Sequence, residues 1–455
     1  MCLSKRVRRA AMLCWWYVVA LRAPTARCCY VQSLKVTQAT AHVEPLPDGC
    51  AVDTVDIARV SRLVEAMPDE LEKLFSTQEL SDAGEGAGRI ASLAARFAAK
   101  EACLKLFPRE TALNTITAMD FSVVRDAYGA PHVVVSEAAE IVMGRHLVAE
   151  IKLSLTHTPL SATAVALRVA KVIEPGWGGR FLYRWLPYRR EVILDNLTRV
   201  YAEQVSQQQI ILLAQAHYGH LLALLKELLQ FRFLSVQQKK DIVRVEGAPL
   251  LMAACAAGKG ALILTGHFGN FEVSTVAGVE HFPEIKGHIH FLRRPIKPKW
   301  LSDLLTNRFK KAGFGVVGRR GSLEEIVETL ERGDAIVFPF DQYARRPEGI
   351  EVEFFGYAAG TYKSMALIAL ATGAPVLPAA SWREPDGTHV LRFLPPLTPV
   401  VDDDVGTEIK RNTRAFNQAL ELAIVRHPEQ WWWMHRRWKN QPNAKHKSAT
   451  EVVRP

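Results

Sequence analysis

A proline- and glycine-rich break, Glu174-Pro175-Gly176-Trp177-Gly178-Gly179, divides this 455-residue chain into two segments whose apolar residues follow different patterns. Clustered glycine beside proline is the ordinary punctuation of a boundary. Ahead of the break the pattern predicts a strand at 50–53, a helix from about 57, a helix over Leu93–Leu106 and strands near Phe121–Arg125, His132–Val135 and Ile151–Ser154, with Tyr128-Gly129 as a hairpin turn. Beyond it, strands at Ala261–Thr265, His288–Leu292, Ala335–Phe340, Pro375–Ser381 and Val390–Phe393 are interspersed with helices at 299–312, 322–332, 362–372 and 406–426. Such alternation builds a sheet covered by helices, so two domains are expected, the second of them α/β.

With 49% apolar and 23% charged residues the chain can bury more than one core, which excludes a disordered chain and a single small module. Its 57 Lys and Arg against 47 Asp and Glu leave a net charge of +10, suited to phosphate groups, anionic lipid or an acidic protein; no nucleic-acid partner is expected. Seven cysteines, without a Cys-x-x-Cys pair, read as free thiols of a reducing compartment. Residues 1–47 form a distinct leader, with a Lys5, Arg6, Arg8, Arg9 run and then the apolar segment Ala10–Leu21. Those twelve residues fall short of the roughly twenty that a membrane-spanning helix needs. The leader reads as a disordered extension, a surface anchor or an export signal. Residues 208–234 form a long apolar helix, either core or lipid-facing.

In the first half, Asp53 at a strand end precedes Arg59 by six residues, and a helix carries Arg96-Phe97-Ala98-Ala99-Lys100-Glu101-Ala102-Cys103-Leu104-Lys105. Glu101 and Lys105 are four apart and share a helix face. One carboxylate from a strand and one from a helix can hold Mg2+, which favours oxygen ligands, and an amine beside them neutralises phosphate. Alone, a Glu-Lys pair at this spacing is more often a solvated helix face. The order of these segments, together with Asp126-Ala127-Tyr128-Gly129-Ala130-Pro131-His132-Val133 and Leu153-Ser154-Leu155-Thr156-His157-Thr158, resembles holo-acyl-carrier-protein synthase, of the 4'-phosphopantetheinyl transferase superfamily, over about Asp48–Arg168. The resemblance implies an α+β domain, usually a homotrimer with sites between subunits, that moves phosphopantetheine from coenzyme A to a serine of acyl carrier protein. It implies Asp53 and Glu101 as magnesium ligands, Lys105 as a pyrophosphate partner, and Arg96 and His157 as coenzyme A contacts. Two departures stand out. The family's glycine-rich segment is replaced by Phe107-Pro108-Arg109-Glu110-Thr111-Ala112-Leu113, and the basic carrier-docking helix is diluted by Glu65, Asp69, Glu70 and Glu72.

In the second half, Thr265-Gly266-His267-Phe268-Gly269-Asn270-Phe271-Glu272 directly follows an apolar strand. A histidine and a carboxylate with four residues between them at a strand-to-helix turn can meet, the acid orienting the imidazole as a general base. Taken alone, the pair is as well explained by a plain hydrogen bond. Its company is Phe291-Leu292-Arg293-Arg294-Pro295, Arg308 in a basic helix, Phe338-Pro339-Phe340-Asp341-Gln342, Phe354-Phe355-Gly356, Gly373-Ala374-Pro375-Val376-Leu377-Pro378 and Pro428-Glu429-Gln430-Trp431-Trp432-Trp433-Met434-His435-Arg436-Arg437-Trp438-Lys439. Together these resemble the late acyltransferases of lipid A synthesis, in the lysophospholipid acyltransferase superfamily, over about Trp185–Pro442. That resemblance implies acyl transfer from acyl carrier protein to a hydroxyl of an anionic glycolipid at the inner face of the cytoplasmic membrane. It implies His267 and Glu272 as the catalytic pair, Arg308 as the basic residue, Asp341 as the acid of an Asp-Gln motif and Arg294 as a phosphate contact. Trp431, Trp432, Trp433 and Trp438, next to His435, Arg436, Arg437 and Lys439, suit a headgroup layer or a core.

The expected organisation is a leader over 1–47, a synthase-like domain over 48–170, a linker over 171–184, an acyltransferase domain over 185–442 and a tail over 443–455. The expected enzyme is bifunctional and peripheral to the membrane, using Mg2+ and coenzyme A in its first half. Two alternatives stay open: a first half that only docks the carrier, and an acceptor that is a secondary-metabolite lipid.

Overall fold

The computed structural model describes residues 49–66, 68–109, 115–186, 188–293, 299–318 and 323–442; the leader 1–47, Arg294, residues 110–113 and the tail 443–455 lie outside the described residues. In the first domain β1 (Cys50–Asp56) runs into α1 (Ile57–Ala66), followed by α2 (Thr77–Ala83), α3 (Arg89–Lys105), the hairpin β2 (Phe121–Arg125) and β3 (Pro131–Val135), α4 (Glu137–Arg145), β4 (Val148–His157) and β5 (Ser161–Ala170). The strands β1, β5 and β4 pair antiparallel in that spatial order. Strand alternation turns Ala162, Ala164 and Ala166 of β5 onto α3, which answers with Ala94, Ala98, Ala99 and Ala102. Small side chains on both surfaces let helix and sheet approach closely. The opposite face of the sheet leaves Val52, Leu167 and Val169 exposed.

The second domain opens with α5 (Trp177–Trp185), α6 (Arg190–Tyr201), α7 (Gln207–Phe231) and α8 (Val236–Asp241). It continues as β6 (Val243–Glu246), α9 (Ala248–Ala254), β7 (Ala261–Thr265), α10 (Phe271–Gly278), β8 (Ile289–Arg293), α11 (Lys299–Lys311), β9 (Gly315–Gly318), α12 (Leu323–Glu331) and β10 (Ala335–Pro339). The hairpin β11 (Gly349–Phe354) and β12 (Tyr357–Tyr362), then α13 (Ser364–Thr372), β13 (Val376–Arg383), β14 (His389–Phe393) and α14 (Val405–Arg426) complete it. A seven-stranded sheet runs β6-β14-β13-β7-β10-β8-β9, parallel throughout except where β13 meets β14. Leu262, Leu264, Ile336 and Phe338 project into one core with α6, α7 and α14, while Ile263 and Val337 project into a second with α10 and Phe309 of α11. Burial on both faces explains why the central strands read as unbroken apolar runs.

The break at 174–179 corrects the expected linker. Trp177–Trp185 is helical and packs on α7, where a Cβ at Gly179 would lie 2.3 Å from the carbonyl oxygen of Gln215. That glycine allows two helix backbones to touch. The domains are joined elsewhere, through α4 and α14. Glu140 accepts two hydrogen bonds from Arg426, at 2.7 and 2.8 Å, and a Cβ at Gly144 would overlap Val425. Lys171 donates to the carbonyls of Val425 and Arg426 at the end of α14. Of the four tryptophans of the C-terminal run, Trp431, Trp433 and Trp438 are buried in the core and Trp432 is half-buried against it.

Candidate functional site

On α3, residues four apart form two separate stripes. Arg96 and Lys100 point inward. Lys100 pairs at 2.8 Å with Glu79, which also accepts from the N–H groups of Ser76 and Val123. Arg96 is buried and donates to the carbonyl of Val123 at 3.1 Å and to Ser92 Oγ, with Asp82 at 3.6 Å. Burial pulls its guanidinium down from the usual arginine range, against the charges of Asp82 and Glu79. The structure places Arg96, expected to contact coenzyme A, where it holds α2 and β2 against α3. Glu101 and Lys105, about 100° around the helix, form the other stripe. Lys105 Nζ reaches Asp53 Oδ1 of β1 at 2.5 Å, and Glu101 is one turn back. Carboxylate oxygens such as those of Asp53 and Glu101 are hard donors of the kind Mg2+ takes. Among the described residues no group of three or more His, Cys, Asp or Glu side chains could hold a metal. His157 ends β4, exposed, in register with Ala162 and, across β5, with Val55, two residues from Asp53.

The second site lies beyond the carboxyl ends of the adjacent parallel strands β7 and β10, where open α/β sheets place their ligands. His267 follows β7 and Asp341 follows β10. The imidazole Nδ1 donates to Asp341 Oδ1 at 2.9 Å, and the His267 backbone N–H donates to Asp341 Oδ2 at 2.8 Å. Trp431 Nε1 donates to the same Oδ2 at 2.9 Å. Two glycines make this turn possible. A Cβ at Gly266 would come within 3.0 Å of the Asp341 carboxyl, and Gly269 has a φ of +52° with its Cβ position 2.7 Å from the carbonyl of Ser381. The C-terminal run closes the turn from the other side: Gly269 N–H donates to Gln430 O and Trp432 N–H to His267 O.

Burial alone would depress the His267 pKa, but the charge and hydrogen bond of Asp341 outweigh it and raise it. Burial opposes ionisation of Asp341, whereas the imidazole and its hydrogen bonds hold the carboxyl far below the usual range. The carboxylate on the imidazole is therefore Asp341, which corrects the expected His267–Glu272 pair. Glu272 sits in the first turn of α10 with Arg308 at 3.8 Å, and the guanidinium of Arg308 lies over the Phe231 ring. Sequence spacing favoured the nearer acid; parallel pairing of β7 and β10 delivers the distant one. Gln342 and His435 carried no individual role in the sequence reading. Gln342 Nε2 is 3.5 Å from His267 Nε2 and 3.4 Å from His435 Nε2. The available signals were that Gln342 directly follows Asp341 and that His435 lies in the tryptophan-rich run.

His267, Gln342 and His435 line a cavity of about 1880 Å³, larger than the roughly 300–1,000 Å³ of ordinary small-molecule sites. Its interior is apolar, walled by residues such as Ile263, Val279, Phe282, Ile289, Phe309 and Leu391, with Arg345 and Lys363 also on the lining.

Residues 169–440 match the profile of the bacterial lipid A biosynthesis acyltransferases, and residues 49–160 that of the 4'-phosphopantetheinyl transferase superfamily. A phosphatidylinositol mannoside acyltransferase of Mycolicibacterium smegmatis is 27% identical over 205 residues, 44% of this chain and 63% of that protein, so the chain spans less than two thirds of that relative's length. A holo-[acyl-carrier-protein] synthase of Clavibacter sepedonicus is 40% identical over 116 residues, 26% of this chain and 90% of that protein. Among solved structures, an acyl carrier protein synthase of Mycobacterium tuberculosis is 30% identical with a TM-score of 0.21, covering 27% of this chain and 96% of that one. The chain belongs, through its second half, to the bacterial lipid A biosynthesis acyltransferases and, through its first, to the 4'-phosphopantetheinyl transferase superfamily.

Proposed function

We propose that the second domain transfers an acyl chain from acyl carrier protein to a hydroxyl of a membrane glycolipid, and that the first domain loads that carrier with phosphopantetheine from coenzyme A. The observation that carries the first part is the His267–Asp341 pair, whose imidazole lines a large apolar cavity. Nδ1 is held by a carboxylate that only accepts, so Nε2 offers a lone pair to an acceptor hydroxyl. The cavity houses the acyl chain. The named activity of the Mycolicibacterium relative supports a mannosylated phosphatidylinositol as the acceptor to try beside lipid A precursors. The test is consumption of an acyl-carrier-protein thioester by the full-length protein with each glycolipid in vesicles. No ester product with either would defeat the reading.

For the first domain, Asp53 and Glu101 would hold Mg2+, whose charge would neutralise the pyrophosphate of coenzyme A, with Lys105 beside it. The inward-turned Arg96 and the glycine-free 107–113 segment favour the second reading, a domain that docks the carrier without modifying it. Mass spectrometry of apo carrier incubated with coenzyme A and Mg2+ separates the two. The exposed apolar sheet face with Val52, Leu167 and Val169 supports assembly through this domain as a homotrimer, which sedimentation tests.

We place the protein at the cytoplasmic face of the membrane, as a peripheral enzyme. Among the described residues no helix is long and apolar enough to cross a membrane. Support comes from α5, where Trp177, Phe181 and Trp185 form one exposed stripe at four-residue spacing beside Arg180 and Arg184. Replacing the three aromatics by serine should release the protein from anionic vesicles; undiminished binding would rule this surface out.

A further inference from the structure

A thioester attacked beside His267 gathers negative charge on its carbonyl oxygen, and a donor already aimed at that position lowers the barrier. Three backbone donors of the turn after β7 are already taken. The N–H of His267 goes to Asp341, that of Phe268 to Gly266 O at 3.1 Å and that of Gly269 to Gln430 O at 3.0 Å. Among the described residues, the side-chain N–H group that reaches His267 Nε2 is that of Gln342, 3.5 Å away. A glutamine amide carries two hydrogens, one for each imidazole it touches. His435 takes the second at 3.4 Å, and its own backbone is fixed by Asn196 Nδ2, which donates to its carbonyl at 2.6 Å.

We propose that Gln342 donates a hydrogen bond to the thioester carbonyl oxygen in the transition state, and that His435 is the positioning residue that aims its amide. The inference rests on the acyl-transfer reading above. At 3.5 Å the contact with His267 is long and is released when an acceptor hydroxyl takes the Nε2 lone pair. The hydroxyl oxygen bonds to the thioester carbon as its proton passes to His267 Nε2. The carbonyl electron pair moves onto oxygen, where the freed N–H of Gln342 holds it. Collapse breaks the carbon–sulfur bond, and the leaving sulfur takes the proton back from Nε2. Ester and thiol form, and neither Gln342 nor His435 changes protonation.

The test uses full-length protein with palmitoyl-acyl carrier protein and mannosylated phosphatidylinositol in vesicles, with circular dichroism on every variant. Gln342→Leu should lower kcat by about a hundredfold while KM for the thioester stays unchanged. Gln342→Glu should lose activity similarly and also move the acidic limb of the rate profile to higher pH, because its charge stabilises the His267 imidazolium. His435→Ala should lower kcat by about tenfold, and His435→Gln, which returns an acceptor near Nε2, should recover most of that loss. A Gln342→Leu variant with near wild-type kcat, a loss confined to KM, or a His435→Gln variant no better than His435→Ala would overturn the proposal. If Gln342→Leu fails to fold, Gln342→Met carries the same expectation. Absence of wild-type turnover with both this acceptor and a lipid A precursor would defeat the acyl-transfer reading itself, and this inference with it.

Discussion

Asp341 grips His267 at two points, one oxygen on the imidazole Nδ1 and the other on the backbone N–H of the same residue. That double contact fixes both the tautomer and the placement of the ring. Asp341→Asn should therefore lower kcat by roughly a thousandfold, within the range for loss of a working general base. The wild-type acidic limb should lie above the ordinary imidazole pKa of about 6.5, since Asp341 raises that of His267. Removing the negative charge destabilises the imidazolium, so residual activity in Asp341→Asn should persist to lower pH. A pH–rate profile of both proteins checks it, and an unmoved limb would mean that another group titrates.

Trp431 is linked to the same chemistry through its indole N–H on Asp341 Oδ2. Trp431→Phe keeps most of the packing and removes only that donor. The expected result is about a tenfold loss in kcat and a stability loss of about 1–2 kcal/mol for a buried charge-assisted hydrogen bond. Denaturant titration and steady-state rates measured together separate this from the larger core collapse expected of Trp431→Ala.

The two stripes of α3 predict opposite outcomes from neighbouring substitutions. Glu101→Ala should abolish carrier modification with the melting temperature almost unchanged. Arg96→Ala leaves Asp82 and the Val123 carbonyl without their buried cation, so it should lower the melting temperature by several degrees. If Arg96→Ala instead raised KM for coenzyme A in a protein of wild-type stability, the expected coenzyme A contact would be restored.

Much of the fold was legible in the sequence because pattern decides it: α3 and the hairpin of β2 and β3 follow from 3.6- and 2-residue periods, and β7 and β10 from short unbroken apolar runs. Short edge strands such as β6 and β9, four residues each, carry too little pattern to read. The site was legible as a set of residues but not as a set of bonds. His267 and Asp341 are 74 positions apart, and only parallel register brings them together. Glycine was misread for the same reason: Gly178-Gly179 marks a helix contact that sequence alone cannot distinguish from a turn. The C-terminal tryptophans were ambiguous because aromatic rings suit a core and a headgroup layer equally.

The last prediction concerns His217, fully buried on α7, whose Nδ1 donates to the carbonyl of Glu429 just ahead of the run that closes the catalytic turn. Burial pulls its pKa down to about 4, with the Glu429 hydrogen bond opposing. In the unfolded chain an imidazole takes its proton near pH 6.5, whereas the folded one refuses it until about pH 4. The unfolded state thus binds more protons between those values, and the stability present above pH 6.5 is lost as pH falls through that window, by about 2 kcal/mol at pH 5. Thermal melts should show the melting temperature dropping by several degrees between pH 7 and pH 5. His217→Gln keeps a donor for the Glu429 carbonyl but cannot take the proton, so its drop over the same interval should be smaller. Equal drops in the two proteins would assign the acid sensitivity to other buried histidines such as His220 and His389, whose pKa values burial also lowers.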